Sequence, residues 1–510
     1  MTTEAVALDA ALTKRLRTIV GRDNVVTDPD ALLVYESDGL TAWRLRPRAL
    51  VMPGGTEETA EVIRALAEAN VPFVPRGAGT GLSGGALALE NAVVLSLARM
   101  DRILHIDAGN AFAVVQPGVA NARLSAATRP FGLYYAPDPS SQTVCTIGGN
   151  VAENAGGPHC MKYGVTVNHI LGATVVLPDG STVRFGGPGE NTGYDLLGVF
   201  VGSEGTFGVA TEITVRLLRL PERVETLLAL FADIDDASRA VSAIVAEGLL
   251  PAALEMVDRE AIRAVEASVY AAGLPDVAGA LVIEFDGAAA GLDEDAERAR
   301  EICTRMGATE VRRAHDDAER QRLWHARKKA FGAMGRLAPD VLVQDAVVPR
   351  SRLPQVLHTV YAIAAENGLR LCNTFHAGDG NLHPVIPFDR RNPEEVRSVE
   401  RASREIMQAC IEAGGSITGE HGVGIDKREY MPLIFSESEM ELMCSVRRVF
   451  NPRGLANPAK VLPVRVCREW VGPATHRVEN GNRVIAMAAA IRADGTSDGV
   501  QRTERVTEST

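Results

Sequence analysis

Two histidines seven residues apart are candidates for metal ligands. His376 and His383 flank the dipeptide Asp379-Gly380, which is a strong signal for a two-residue β-hairpin turn. With that turn, His376 pairs directly with His383, and their Cβ atoms lie about 5 Å apart on one face of the hairpin. Two imidazoles in this arrangement predict a shared divalent metal ion.

A third candidate ligand lies in a glycine-rich stretch downstream, in the dipeptide Glu420-His421. Two histidines and one carboxylate, with coordination positions left open, are typical of a catalytic metal site. On a regular strand Glu420 and His421 would point to opposite faces. The flanking glycines permit an irregular backbone, which is needed if both side chains are to reach one substrate.

The alternative for each histidine is an ordinary structural role with a hydrogen-bonded ring. However, three of the ten histidines lie between residues 376 and 421, each beside a glycine-rich turn. This clustering favours the metal-site interpretation.

Four segments rich in small residues lie in the first half of the chain, at residues 76–85, 136–141, 146–157 and 202–209. Successive small residues let backbone N–H groups converge on an anion such as a pyrophosphate. The Rossmann fingerprint fails, because Leu82 stands where its third glycine is required. A tight surface turn could account for one segment. Four of them predict a long phosphate-bearing ligand, since each weakens its local structure.

The pattern of short β-rich runs and amphipathic helices predicts an α+β protein. One helix is expected to run to Ala69 with Thr56 as its N-cap. We expect a helical segment at residues 1–45, an α+β domain at 46–222, and a second α+β domain at 223–463 built on an antiparallel sheet. The polar residues 464–510 predict a loosely ordered tail.

Composition excludes some functions. The net charge of -12 and the aromatic content of 5% argue against a nucleic-acid partner. Seven cysteines without a C-x-x-C pair indicate reduced thiols, with neither a disulfide framework nor an iron–sulfur site. The N-terminus lacks a signal-peptide core and no 18-residue apolar window occurs, so we expect a cytoplasmic protein without a transmembrane segment.

The small-residue segments, in their order and spacing, resemble a known family. The stretches PRGAGTGLSGG, PDPSSQTVCTIGGNVAENAGG, KYG and GSEGTFGV are similar to the FAD-binding domain of the vanillyl-alcohol-oxidase (PCMH-type) superfamily. The best match within it is the bacterial glycolate oxidase and D-lactate dehydrogenase family, over residues 25–463. The resemblance implies a PCMH-type FAD-binding domain, a substrate-binding cap domain, and a C-terminal segment that returns to the flavin.

The resemblance also implies which residues bind FAD. They are Arg76, Gly77, Ala78, Gly79, Thr80, Gly81, Leu82, Ser83, Pro137, Asp138, Ser140, Thr143, Gly148, Gly149, Asn154, Gly156, Gly157, Tyr163, Gly164, Glu204, Gly205, Gly208, Val209 and Asn457. Relatives that link FAD covalently carry a histidine where this chain has Thr80. We therefore expect FAD to be held non-covalently.

The implied reaction is oxidation of a small D-2-hydroxy acid, glycolate or D-lactate, to the 2-oxo acid by hydride transfer to flavin N5. His376, His383 and Glu420 match the positions that bind a divalent metal, which we expect to be zinc or manganese, with iron as an alternative. His421 matches the general base, and Arg327, in the basic stretch 323–331, matches the substrate-carboxylate arginine. The alternative for that stretch is a solvated basic helix face.

The substrate and the partners are less closely specified. Val343 or a neighbour replaces a lysine that hydroxyglutarate dehydrogenases carry, which favours a monocarboxylate over D-2-hydroxyglutarate. Electrons must leave through a separate acceptor, with an iron–sulfur subunit and a second flavin-domain subunit as candidate partners, and these could attach the protein to the inner membrane. Two other classes stay open: a flavin-free metallohydrolase, and a non-catalytic subunit that keeps the fold for assembly.

Overall fold

The computed structural model describes residues 7–40, 43–88, 91–187 and 193–467. The predicted tail therefore lies outside the described residues, apart from its first four residues. In the described part of the chain, no helix combines the length and the apolar character needed to cross a membrane.

The first domain contains two main sheets and the two-stranded sheet of Leu133–Tyr134 and Leu218–Arg219, with helices packed against them. Its elements are α1 (Ala10–Val20), β1 (Val25–Val26), β2 (Ala49–Val51), α2 (Thr56–Glu68), β3 (Phe73–Arg76), β4 (Val93–Ser96), β5 (Ile103–Asp107), β6 (Phe112–Val115), α3 (Asn121–Thr128), β7 (Leu133–Tyr134), α4 (Ile147–Glu153), α5 (Cys160–Tyr163), β8 (Ile170–Val176), β9 (Thr182–Gly186), α6 (Leu196–Phe200), β10 (Val209–Arg216) and β11 (Leu218–Arg219).

The two main sheets differ in strand direction. In the order β1-β2-β4-β3, strands β2, β4 and β3 are parallel and β1 pairs antiparallel with β2. The sheet β5-β6-β10-β8-β9 is antiparallel throughout. The glycine-rich segment at 76–85 follows β3, and the one at 146–157 contains α4.

The N-terminal segment contributes to the core of this first domain. The side chain of Asp9 caps α1 by accepting hydrogen bonds from the backbone N–H groups of Ala11 and Leu12. The apolar face of α1, including Leu16, then packs into the same core as Ile63 on α2.

The second domain is built on one extended antiparallel sheet, as the sequence predicts. Its elements are β12 (Arg223–Phe231), α7 (Ile234–Ala246), β13 (Ala253–Asp258), α8 (Arg259–Glu266), β14 (Gly279–Gly287), α9 (Leu292–Arg305), β15 (Ala308–Arg313), α10 (Asp317–Met334), β16 (Asp340–Val343), β17 (Ala346–Val347), α11 (Leu353–Glu366), β18 (Cys372–His376), β19 (Asn381–Leu382), β20 (Pro384–Phe388), α12 (Pro393–Glu412), α13 (Glu437–Phe450) and α14 (Val464–Cys467). Short 3-10 helices lie at Arg22–Asn24, Ala31–Tyr35, Arg129–Phe131, Thr166–His169, Arg350–Arg352 and Arg428–Leu433.

The strand order of this sheet is β15-β12-β14-β13-β18-β19-β17, and β20 pairs with both β16 and β18. Alternating apolar side chains pack on both faces. One face packs against α7, α9, α11 and α12, and the other packs against α8 and α10. Helix α10, which carries the basic stretch 323–331, therefore lies on the same side of the sheet as α8.

After α13 the chain returns to the first domain, as expected. Phe73 donates from its backbone N to the carbonyl of Leu455, and Asn457 donates from its backbone N to the carbonyl of Phe73. Residues 455–457, more than 370 positions after β3 in sequence, thus pair with the edge of β3.

Two local predictions are wrong. Gly55, not Thr56, is the N-cap of α2, and the Thr56 hydroxyl donates to the Thr211 hydroxyl instead. Cys444 and Cys467 form a disulfide with Cα atoms 5.4 Å apart, against the expectation of reduced thiols throughout. Packing of α14 against α13 brings the pair together, which their spacing in sequence does not reveal.

Candidate active site

A cavity of about 650 Å³ lies between the glycine-rich segments of the first domain and the sheet and α10 of the second. On one side its walls come from residues 76–82, 139–141, 145–146, 148–150, 152–153, 155–156 and 204–205. The second domain contributes Arg327, His376, His383, Glu420 and His421. One cavity therefore joins the predicted cofactor segments to the predicted catalytic group.

The glycines in this wall are required by close approach of the backbone. A Cβ at Gly77 would overlap the hydroxyl oxygen of Thr146, and a Cβ at Gly148 would lie 2.5 Å from the Cβ of Pro117. At Gly156 an added Cβ would lie 2.7 Å from a carboxylate oxygen of Glu420. The small residues thus let the first domain's loops approach one another and the second domain's site.

On the first-domain side of the cavity wall, two buried polar atoms of α4 lack a partner among the described residues. They are the Nδ2 of Asn150 and the Oε2 of Glu153, both on α4. Burial, then the charges of Glu204 and Asp38, raises the pKa of Glu153 well above its usual value. A buried polar atom without a partner is costly, so a polar ligand such as FAD fits this wall.

About half of the predicted cofactor residues line the cavity. These are Arg76, Gly77, Ala78, Gly79, Thr80, Gly81, Leu82, Ser140, Gly148, Gly149, Gly156, Glu204 and Gly205. The Arg76 guanidinium, however, donates to the backbone carbonyl of Ser37 at 2.8 Å, which anchors the glycine loop to the N-terminal segment.

The other predicted cofactor residues do not line the cavity. They are Ser83, Pro137, Asp138, Thr143, Asn154, Gly157, Tyr163, Gly164, Gly208, Val209 and Asn457. Asn457 donates from its side-chain amide to the carbonyls of Gly85 and Glu204, and the Tyr163 hydroxyl donates to the carboxylate of Asp286. The polar groups of Asn457 and Tyr163 thus form hydrogen bonds within the protein, and these bonds hold the surrounding loops in place.

The predicted metal ligands converge. The Nε2 atoms of His376 and His383 each lie 3.1 Å from the same oxygen, Oε1 of Glu420. One ligand atom from each of the three residues lies within 4.8 Å of the others, a spacing that one ion can bridge. All three side chains are largely buried, and the donor set of two imidazoles and one carboxylate suits a divalent transition metal.

The predicted hairpin register is wrong by two residues. His376 pairs with Asn381, and residues 377–380 form the turn. His383 therefore lies diagonally across from His376 rather than opposite it. Since side chains alternate with a period of two, a shift of two residues keeps both rings on one face, 5.2 Å apart.

Glu255 orients the first histidine. Its carboxylate, on β13, lies 2.8 Å from the Nδ1 of His376 and forms an ion pair of 2.5 Å with Arg327. Burial alone would lower the pKa of His376, but the carboxylates of Glu255 and Glu420 raise it well above the usual value. The Nδ1 contact leaves Nε2 directed at the common centre.

Arg327 lies on α10, faces the cavity and is almost fully buried. Its Nη2 is taken by Glu255, while its Nε has no partner among the described residues. The Nε–H group is therefore not used in a hydrogen bond within the described residues.

Asp345 organises the Glu420-His421 loop. Its buried carboxylate accepts hydrogen bonds from the backbone N–H groups of Gly419, Glu420 and His421, from the Thr418 hydroxyl and from the ammonium of Lys427. This anchoring gives the irregular backbone that allows Glu420 and His421 to face one cavity.

His421 completes the group. Its ring stacks on that of His383, with centroids 4.9 Å apart, and its Nε2 lies 3.8 Å from Oε1 of Glu420. Burial lowers the pKa of His421 to about 4, although the nearby carboxylate of Asp345 acts in the opposite direction.

Several residues that build this site were not predicted. Glu255 and Asp345, which contact the candidate ligands or their loop, were not predicted at all. Asn150 and Glu153 lie within the predicted segment 146–157 and Lys329 within the basic stretch 323–331, but none of the three was singled out. One signal was present, since a glutamate in the apolar run at 253–258 is unusual in a buried strand. Asp345 carried no such signal.

Two family models and several known proteins are similar to this chain. Residues 47–186 match the family described as "FAD binding domain", and residues 220–461 match "FAD linked oxidases, C-terminal domain". The chain is 45% identical over 460 residues to the glycolate oxidase subunit GlcD of Escherichia coli (strain K12), covering 90% of this chain and 92% of that protein. The chain belongs to the FAD-linked oxidases. FAD is the cofactor of this oxidoreductase, which confirms the predicted family and flavin.

Further relatives and solved structures extend the comparison. The glycolate oxidase subunit GlcD of Bacillus subtilis (strain 168) is 40% identical, over 88% of this chain and 96% of that protein. The D-lactate dehydrogenase of Anaerostipes hadrus is 34% identical, over 82% and 90%. The structure of p-cresol methylhydroxylase with substrate bound is 18% identical, covers 89% of this chain and 97% of that chain, and gives a TM-score of 0.76, which confirms the PCMH-type fold.

Proposed function

We propose that this FAD-linked oxidase converts a small D-2-hydroxy acid, glycolate or D-lactate, into the 2-oxo acid. The observation that carries the proposal is the convergence of His376, His383, Glu420 and His421 on the cavity that the glycine-rich segments line. The relatives named glycolate oxidase subunit and D-lactate dehydrogenase support the same substrate class.

His376, His383 and Glu420 would hold a divalent ion, zinc or manganese by the donor set, with iron as an alternative. Such an ion would supply a positive charge that lowers the pKa of a substrate hydroxyl. FAD would supply the hydride acceptor, N5 of its ring. The binding residues named above would place both beside the substrate.

The protein's own residues then bind the substrate and move its proton. The Nε of Arg327, which has no partner among the described residues, would donate to the substrate carboxylate and so select the face presented to the flavin. His421 would accept the hydroxyl proton at Nε2, the ring nitrogen on the side of Glu420.

Two further properties follow as part of the proposal. Thr80 lacks a nucleophilic ring nitrogen where covalently linking relatives have a histidine, so FAD would dissociate on denaturation. Val343 and Val385 line the cavity, an apolar surface that favours a monocarboxylate over D-2-hydroxyglutarate.

A separate electron acceptor would reoxidise FAD. The candidates are an iron–sulfur subunit and a second flavin-domain subunit, and the cytoplasm is the proposed compartment.

The proposal is tested by anaerobic reduction of the bound flavin, followed as loss of its visible absorbance. Glycolate and D-lactate should bleach the flavin, L-lactate should not, and removal of the metal by chelation should slow bleaching. Bleaching by L-lactate but not by D-lactate would contradict the proposed stereochemistry of the substrate. An unchanged bleaching rate after chelation would contradict the proposed role of the metal. A purified protein without flavin absorbance would instead favour the metallohydrolase, which the FAD-binding domain match already argues against.

A further inference from the structure

A second cavity, of about 370 Å³, adjoins the 650 Å³ cavity described above. We call the larger one the flavin cavity, because it is where FAD is proposed to bind. The walls of the second cavity come from Ser140, Gln142, Thr143 and His159 of the first domain and from Glu284 and α10 of the second. Ser140, Lys328 and Lys329 line both cavities, so the two spaces share a wall. We call the second space the side cavity.

The side cavity is basic. Its lining includes His159, Arg320, His325, Lys328 and Lys329, and one acidic residue among the described residues, Glu284. The carboxylate of Glu284 is already satisfied, because it lies 3.2 Å from the Nε2 of His159 and accepts hydrogen bonds from Trp324 and Thr226. Arg320 is paired with Glu284 and Asp317, and His159 and Lys328 are paired with Asp138, so the positive charge left over at the shared wall is that of Lys329.

The two lysines at the shared wall differ in their partners. The ammonium of Lys328 donates to the carboxylate of Asp138 at 2.9 Å, which joins the two domains. Among the residues that the structure describes, the half-buried Lys329 has neither a hydrogen bond nor an ion pair. Lys329 therefore places an unneutralised positive charge where the cavities meet.

The buried arginine does not supply such a charge at longer range. Arg327 forms an ion pair with Glu255 at 2.5 Å, so the pair is close to neutral when seen from outside the flavin cavity. Arg327 can orient a carboxylate that has already arrived, whereas an approaching anion would respond to the net charge of Lys329.

We infer that the side cavity is the entrance for small carboxylate anions and that Lys329 draws them from it into the flavin cavity. This inference rests on the proposed function, since it assigns the entry route of a 2-hydroxy acid. Lys329 is thus a positioning residue that acts on association, and the chemical step does not require it.

The test uses the FAD- and metal-loaded protein and the variants Lys329→Met, Lys329→Arg and Arg322→Gln. Arg322 is an exposed cation on the same helix that lines neither cavity, so it controls for the loss of one charge. Anaerobic flavin reduction by D-lactate is measured from about 20 mM to about 500 mM NaCl, a range over which screening becomes strong. Binding of oxalate, followed by perturbation of the oxidised flavin spectrum, gives a readout that needs no turnover.

We expect Lys329→Met to lower kcat/KM for D-lactate about tenfold at low salt and to flatten its salt dependence, with a near-wild-type maximal reduction rate. The association rate of oxalate should fall by a similar factor. Lys329→Arg should restore most of both, and Arg322→Gln should match the wild type.

Wild-type values of kcat/KM, salt dependence and oxalate association in Lys329→Met would overturn the inference and leave the proposed function standing. A loss confined to the maximal reduction rate would also overturn it, since Lys329 would then act in the chemistry. If no 2-hydroxy acid reduces the wild-type flavin, the proposed function fails, and the oxalate rates still decide whether anions enter past Lys329.

Discussion

The carboxylate of Glu255 lies 2.8 Å from the Nδ1 of His376, although the two residues are 121 positions apart in sequence. Adjacent strands carry them, since Glu255 on β13 pairs directly with His376 on β18. The contact fixes the orientation of the ring and directs its Nε2 toward Glu420. Support of this kind strengthens metal binding without contact between the supporting residue and the metal.

Replacing Glu255 with Gln should weaken binding of the divalent metal about 10- to 100-fold, the usual cost of losing an oriented carboxylate behind a histidine ligand. The measurement is competition with a chromophoric chelator. Glu260→Gln, a change on the adjacent helix α8 that is remote from the cavity lining, is the control. Equal metal affinity in both variants would show that Glu255 serves only the ion pair with Arg327.

Replacing His421 with Ala should slow anaerobic flavin reduction by D-lactate about 10²- to 10⁴-fold, as expected for loss of a general base. FAD content and metal content should stay near the wild type, because the ring contributes neither the backbone wall nor one of the three proposed ligands. Stopped-flow absorbance gives the reduction rate. A variant that keeps the wild-type rate would remove His421 from the mechanism.

Replacing Gly77 with Ala should reduce FAD content and lower the melting temperature of the apoprotein, since the added Cβ would overlap the Thr146 hydroxyl. Gly81→Ala is the matched variant in the same loop, where an added Cβ meets no protein atom within 4 Å. It should leave the apoprotein's melting temperature unchanged. Equal melting temperatures for the two apoproteins would contradict the close approach at Gly77.

Replacing Asp345 with Asn should lower the free energy of unfolding by about 3–5 kcal/mol, because the buried ammonium of Lys427 loses its counter-charge. Chemical denaturation measures this change. The double variant Asp345→Asn with Lys427→Met removes both charges and should recover part of the loss. If the two single changes are additive in the double variant, the ion pair does not couple the residues.

The stability contributed by His159 should depend on pH. Burial lowers its pKa, but the carboxylates of Asp138 and Glu284 outweigh that effect and raise it from 6.5 to about 10, with Lys328 and Arg320 as the nearby opposing charges. A raised pKa in the folded state gives stability that is fully present below pH 6.5 and is lost as the pH rises toward 10.

The measurement for His159 is the free energy of unfolding by urea, for the wild type and for His159→Gln, at several pH values. The difference between the two proteins should shrink between pH 6.5 and pH 10. A difference that stays constant over that range would show that the folded protein does not hold the proton on His159.

The residues of the candidate site were predicted from the sequence, whereas the residues that support them were not. His376, His383, Glu420 and His421 stand in glycine-rich stretches whose residue types indicate metal binding and proton transfer. The predicted hairpin register was wrong, yet the two rings still converge, because a slip of two residues preserves the face of a strand. Glu255 and Asp345 belong to the same site but lie 121 and 75 positions from His376 and Glu420, respectively.

Local residue types by themselves determined the small-residue segments, the general pattern of strands and helices, and the family, and they predicted a candidate set of metal ligands that now lie close together. Tertiary structure alone decided which of the glycine-segment residues face the cavity, that Arg327 pairs with Glu255, and that Cys444 meets Cys467. The physical reason is that backbone preference and side-chain alternation act over a few residues. Ion pairs, orphaned polar atoms and shared cavities depend instead on which distant strands and helices pack together.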